Sequence, residues 1–514
     1  MPQEDLMNDR TSKVMLACIL LIIGVSVFCF FYIAHPIILL SGDDWVYASY
    51  FRRGAFPNPF SWNAIKVLPE EIAALMGTIS AFIVYPLRGD YIRSLSLTCA
   101  IVISVFIVLY AFRFYRLMRR KFKFPLFISS LNMCLFIILH FVILRGKDSG
   151  CEHLFYADSF NGVSTYLLPL IINASIVFYL MEGNNIEDLL SQNWTMTHKA
   201  VIYFCIYFAI FSNIYHSIIF ASYIFSGFMN NMIKMLKEGK AITAILRNNL
   251  AKIIVLSVWA FSIILEAFGG RARTAYSARL FSIDSIWKSV QFFLYRLEWV
   301  NIFFLCLLVI AAAAAIVFVL INWTVRLGIK AVNATDIARS SKPFLSICGG
   351  VETDIFVENI FPLLLCTTFD ILVNAVVNPS YSYRTCCISA IFFYLLLFVL
   401  YMISIIEKNA KWVNVFLPIA VMVFFFEGMF GYQSSIYREN NVCDFDPEKG
   451  YKIDSYIIER VTWADDMGFK SITINIPEYI LQGERYSLGI NNDVGVTLYK
   501  HGIISRNIDV RFEE

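Results

Sequence analysis

The apolar runs constrain this chain most. Long, mostly apolar stretches with few charges recur along it, and a helix needs about 20 such residues to cross a bilayer core. They fall at about 14–38, 93–115, 125–144, 164–181, 200–213, 215–233, 250–267, 299–323, 356–377, 386–406 and 413–430. Only 16% of the 514 residues are charged and 58% are hydrophobic, against about 25% charged in soluble domains. A soluble fold could not hide that surface. The net charge of +3 offers no field for a polyanion. The twelve cysteines form no CxxC pair, so no zinc or redox motif is indicated. The sequence predicts an all-α polytopic membrane protein of about 11 transmembrane helices.

One further apolar stretch, Ile72–Leu87, tests the topology. If it spanned, every later helix would invert. The cluster Arg113, Arg116, Arg119, Arg120, Lys121 and Lys123 would then lie outside, against the positive-inside rule. Residues 69–88 are therefore read as a non-spanning helix within a first outer loop of about 41–92, opened by Pro69-Glu70-Glu71. The N-terminus is then cytoplasmic. The other cytoplasmic segments carry Lys13, then Lys234, Lys237, Lys240 and Arg247, then Arg326, Lys330, Arg339 and Lys342, then Lys408 and Lys411.

Composition changes at Gly431. Residues 431–514 are polar and read as a small outer α/β domain: an amphipathic helix over 451–467, an alternating strand over Ser471–Ile476, and further strands at Val496–Lys500 and Ile508–Phe512.

The polar residues expected outside are the functional candidates. Asp43 and Asp44 adjoin Trp45 and Tyr47, with Trp62 further along the same loop. A carboxylate in limited water can act as a general base; a solvated turn is the plainer reading. Glu152 and His153 lie in the second outer loop, before Tyr166 at the entry to a span. Arg271, Arg273 and Arg279 gather in a third loop, and Arg384 precedes another span. Outer arginines run against the charge trend, and a guanidinium fork suits phosphate. Taken singly, each is equally a headgroup-snorkelling residue.

These patches together resemble a family. Asp43-Asp44-Trp45 followed by Trp62-Asn63, Asn161-Gly162 before Tyr166, Gly270 and Thr274 among arginines, Asn378-Pro379-x-Tyr381-x-x-Arg384 and the ending Leu498-Tyr499-Lys500-His501-Gly502 are similar to the GT-C glycosyltransferases. Within that superfamily they resemble the bacterial Gtr-type serotype-converting glucosyltransferases that modify O-antigen. Two departures stand out: Ala64 follows Trp62-Asn63 where relatives carry an arginine, leaving Lys66 as the nearest cation, and Phe160 replaces a tryptophan.

The resemblance implies a GT-C-like transmembrane domain over 1–430 with juxtamembrane helices in the first periplasmic loop, and a periplasmic domain over 431–514, in a bacterial inner membrane. It implies transfer of a sugar, glucose by analogy, from undecaprenyl-phosphate-sugar to O-antigen or lipopolysaccharide glycan. It also implies a small flippase and a polyprenyl-phosphate glucosyltransferase as partners. In this reading Asp44, or else Asp43, is the base. Arg271, Arg273, Arg279 and Arg384 hold the lipid phosphate. Trp45, Tyr47, Trp62, Glu152, His153 and Tyr166 contact sugar or acceptor. No metal is required, because phosphate is already a good leaving group, though a carboxylate-bound Mg²⁺ is compatible. Two other readings remain open: an O-antigen or capsule polymerase, and a transporter of lipid-linked glycans.

Overall fold

The computed structural model describes residues 3–39, 41–51, 65–145, 151–155, 159–190, 195–268, 282–331, 355–431, 436–437, 444–445, 447–477 and 493–512. Among them nine helices are long and apolar enough to cross a membrane. In chain order the helices are α1 (Ser12–Ala34), α2 (Gly42–Ser49), α3 (Val67–Arg88), α4 (Tyr91–Phe122), α5 (Leu126–Val142), α6 (Phe160–Met181), α7 (Met196–Ser212) and α8 (Ile214–Lys237). They continue with α9 (Leu250–Ala267), α10 (Ile283–Leu297), α11 (Ile302–Leu320), α12 (Phe356–Val377), α13 (Thr385–Lys408) and α14 (Trp412–Gly431). The chain is a mostly helical, multi-span membrane protein.

Polar contacts sort the helix ends into two layers. At one end of the bundle, Glu182 after α6 pairs with Arg116 and Arg120 of α4, each at 3.1 Å. Lys121 pairs there with Glu358 of α12, and Glu187 with Lys252 of α9. The basic cluster of α4 is thus more than a topology signal, since part of it neutralises a carboxylate whose side chain is fully buried. The opposite end gathers Asp44, Asn161, Asn213, Arg296 and Asn301, and it is called the site end below.

Helix α3 meets the length and apolarity of a span, yet both its ends are at the site end. Before its first residue, the Lys66 amide donates to the Phe211 carbonyl at the end of α7 (2.7 Å). At its last turn, Arg88 donates to the Tyr32 hydroxyl at the end of α1. Lys66 adopts a left-handed conformation (φ 64°) to start the helix, and Gly89 (φ 72°) ends it. Gly77 lets α3 press on α2: a Cβ there would lie 1.9 Å from the Ala48 carbonyl oxygen. The antiparallel pair α7 and α8 turns at Asn213, whose side chain caps the Tyr215 amide (3.0 Å).

Helix α13 is the hub, with Ile388, Phe392, Phe393, Tyr394, Leu396 and Val399 all buried. Helices α1, α9, α11 and α14 stay outside and expose Leu21, Ile264, Val309 and Phe430. So much outward apolar surface suits contact with lipid rather than water.

The C-terminal segment forms α15 (Pro447–Asp466), β1 (Ser471–Ile474), α16 (Asp493–Lys500) and β2 (Asp509–Phe512), with β1 and β2 parallel. Ile457, Val461 and Ala464 are buried on one face of α15. The strand expected at Val496–Lys500 is helical instead. Val494, Thr497 and Leu498 are all buried, an i, i+3, i+4 spacing that a helix puts on one face and a strand would split between faces. Gly495 fits because its Cα abuts backbone: a Cβ would lie 1.9 Å from the Ile508 carbonyl oxygen. This segment shares its core with the first loop. Thr497 donates to the Trp45 carbonyl (2.7 Å), and Asp454 accepts from the Leu39 amide (3.1 Å).

Candidate functional site

Ser41 starts α2 as its N-cap, and Asp44 closes a capping box with it. One Asp44 carboxylate oxygen accepts from the Ser41 amide and hydroxyl, each at 2.9 Å. The other accepts from the Asn161 amide at 2.7 Å. Asp44 is fully buried. It therefore ties the first loop to the start of α6 and presents no face to a substrate. Asp43, one residue earlier, is exposed. The first-choice base of the sequence reading is thus the structural member of the pair, and the second choice is the accessible one.

A line of hydrogen bonds runs on from Asp44. The Asn161 side chain accepts from the Thr165 hydroxyl (2.7 Å), and the Thr165 carbonyl accepts from Asn213 (3.0 Å). Tyr166 follows, about 7–8 Å along α6 from Asn161 at 1.5 Å per residue. Its ring lies 6.1 Å from that of His216, and His216 shares a 2.9 Å hydrogen bond with Ser389 of α13. Two cations border this spot. Lys66 lies within electrostatic reach of the His216 imidazole, and Arg384 within reach of the Tyr166 hydroxyl. The Arg384 guanidinium rests 4.1 Å from the Tyr381 ring centroid. Asn378 builds the turn beneath it by accepting from the Ser380 amide and hydroxyl.

The C-terminal segment adds a carboxylate. Asp493, the first residue of α16, sits close enough to Asp43 for the two charges to interact. Burial raises the Asp493 pKa, the Asp43 charge raises it further, and Lys500 opposes both. Lys500 also donates to the Ser49 carbonyl and lies over the Tyr50 ring.

Other predicted site residues have different surroundings. Trp45 is fully buried in the core, so its ring has no face for a sugar. Glu152 pairs with Arg296 of α10 at 2.7 Å and accepts from Thr385. Arg296 is itself buried, and also donates to Thr385 (2.9 Å). Glu152 is therefore committed to joining the second loop to α10 and α13. His153 is buried against His35, Phe30 and Phe31. Burial, reinforced by His35, lowers its pKa to about 3, so it is neutral and structural. Tyr47 is half-buried on α2. Trp62, Arg271, Arg273 and Arg279 lie outside the described residues. No group of three His, Cys, Asp or Glu among the described residues could hold a metal ion.

Sequence reasoning missed Asp493 and His216 and gave Lys66 no role. Asp493 sits in a segment read as a separate domain, and His216 near a hairpin turn. Lys66 alone carried a signal, as the nearest cation after Trp62-Asn63.

Comparison with protein-family models finds no match, and neither does comparison with curated protein sequences. Among solved structures the chain is similar to the Archaeoglobus fulgidus oligosaccharyltransferase, with a TM-score of 0.36 and 13% identity. The match covers 87% of this chain and 55% of that one, so the chain spans about half the length of that protein. A superposition this loose carries no argument about the site.

Proposed function

We propose that this chain is a polyprenyl-phosphate-sugar-dependent glycosyltransferase of GT-C type, working at the site end on the periplasmic face. It moves a sugar, glucose by analogy, from undecaprenyl-phosphate-sugar to an O-antigen glycan. The observation that supports this best is the asymmetry of the acidic pair. Exposed Asp43 is held beside a buried, triply bonded Asp44, and Asp44 links it to the cation-flanked Tyr166–His216 spot.

In this reading Asp43 takes the proton of the acceptor hydroxyl as the new C–O bond forms. The bond from the sugar's anomeric carbon to the phosphate oxygen breaks, and the lipid phosphate keeps the electron pair. Lys66 and Arg384 meet that growing charge, joined by Arg271, Arg273 and Arg279 of the third loop. Asp44 positions Asp43 through α2. Asp493 keeps a second carboxylate close to Asp43, and its own pKa is raised by burial and by the Asp43 charge. Tyr47 and Trp62 remain as sugar-contacting aromatics.

Membranes containing the protein, given undecaprenyl-phosphate-[¹⁴C]glucose and unmodified O-antigen, are expected to move label into polysaccharide. Label that stays wholly in the lipid fraction contradicts the proposal. The transporter reading has one observation in its favour: Asp370 in α12 is fully buried, and its carboxylate has no hydrogen-bond partner among the described residues, as carriers often require. That reading predicts donor crossing proteoliposome membranes without any label reaching polysaccharide.

A further inference from the structure

A cavity of about 440 Å³ opens where α1 and α4 meet the start of α15. Pockets that hold small organic groups begin at about 300 Å³. The last turn of α1 and the first turn of α4 line it, so it lies at the level where these helices leave the apolar layer. Ile33 borders it and is 70% exposed on the lipid-facing surface.

Its polar lining is specific. Ser96 is buried, and its hydroxyl makes no hydrogen bond among the described residues. Its helix neighbours behave differently: Ser94, Thr98 and Ser104 each bond back to the carbonyl four residues earlier. A buried hydroxyl without a partner is uncommon, and this one lines the cavity. Arg93 stands beside it. Asp90 approaches its Nε at 3.6 Å, and its guanidinium carbon lies 4.7 Å from the Tyr451 ring centroid. The Tyr451 hydroxyl donates to Asp90 at 2.6 Å, which fixes that triangle. Glu448 lines the same cavity and pairs with Lys452 at 3.1 Å, an exposed contact that solvent screens.

One cation, one carboxylate and one hydroxyl beside an apolar wall at headgroup depth describe a receptor for a zwitterion. We propose that this cavity binds the headgroup of a zwitterionic phospholipid, phosphatidylethanolamine. The phosphate goes to Arg93, the ammonium to Glu448, an ester oxygen accepts from Ser96, and the acyl chains run along Ile33. An anionic headgroup such as phosphatidylglycerol gains Arg93 but meets Glu448 and Asp90 as like charges. The cavity shares no residue with the proposed transfer site, so the proposal stands independently of that reading.

The protein reconstituted in nanodiscs of equimolar phosphatidylethanolamine and phosphatidylglycerol, then stripped with detergent, tests this by native mass spectrometry. One tightly held phosphatidylethanolamine per chain is expected, in about tenfold preference over phosphatidylglycerol. Arg93→Gln and Glu448→Gln each remove a charge-assisted bond and are expected to lower that retention about tenfold. Both side chains are more than half exposed, so neither change threatens the fold. Equal retention of both lipids, or retention unchanged in both variants, overturns the proposal. Displacement of the bound lipid from the wild type by undecaprenyl phosphate also overturns it.

Discussion

Asp43 and Asp44 are chain neighbours in opposite environments, and their substitutions should separate. Asp44→Asn leaves one of three buried donors facing an amide nitrogen. A hydrogen bond to a charged group contributes about 1.5–3 kcal/mol, so a loss of roughly that size is expected by thermal unfolding in detergent. Asp43→Asn, on an exposed face, should leave the midpoint unchanged. Arg296→Met tests the reassignment of Glu152. Breaking a buried pair from one side costs about 3–5 kcal/mol. The partly exposed carboxylate puts this case at the low end, with a matching drop in unfolding midpoint. An unchanged midpoint would free Glu152 for substrate binding again.

At the scale of elements, the contact between α2 and α3 sets where Asp43 sits. Gly77→Ala forces a methyl against the Ala48 carbonyl oxygen. Overpacking of this kind costs about 1–3 kcal/mol. Transfer activity and stability should fall together, because α2 must shift. Gly227→Ala is the control: the nearest atom to a Cβ there is the Lys252 Cε at 3.9 Å, and no loss is expected. The second element-scale contact is the edge-to-face pair His35 and His153, which pins the end of α1 to the second loop. Burial lowers their pKa values from 6.5 to about 4 and about 3. Below pH 6.5 the unfolded chain binds protons at both while the folded chain refuses them. Stability is therefore complete above pH 6.5 and declines as the pH falls toward 4. His153→Phe should flatten that decline in a pH series of unfolding midpoints; an unchanged slope would deny the pair its role.

At the scale of the whole molecule, most of the helix layout was legible in the sequence. An apolar run needs about 20 residues to cross a bilayer, so most of the long helices follow from hydropathy alone. The site was legible only in part. Asp43-Asp44 marked the loop, but adjacency in sequence cannot say which carboxylate faces inward. That depends on Asn161, 117 residues away. His216 and Asp493 come from distant segments, and only packing sets His216 near Lys66 and Asp493 near Asp43. The α16 helix was misread as a strand because five residues give too short a window to tell the two periods apart. Reporter fusions after Gly89 and after Phe122 test the layout. The account predicts Gly89 outside and Phe122 inside; the reverse would carry the candidate site to the cytoplasm.

The most direct test of the central claim is glucosyl transfer by purified wild type and Asp43→Asn, with undecaprenyl-phosphate-glucose as donor and O-antigen as acceptor. General-base catalysis contributes about 10²–10⁴-fold. The account predicts that Asp43→Asn loses at least about a hundredfold in turnover, with an unchanged unfolding midpoint. Near wild-type turnover in that variant would contradict it.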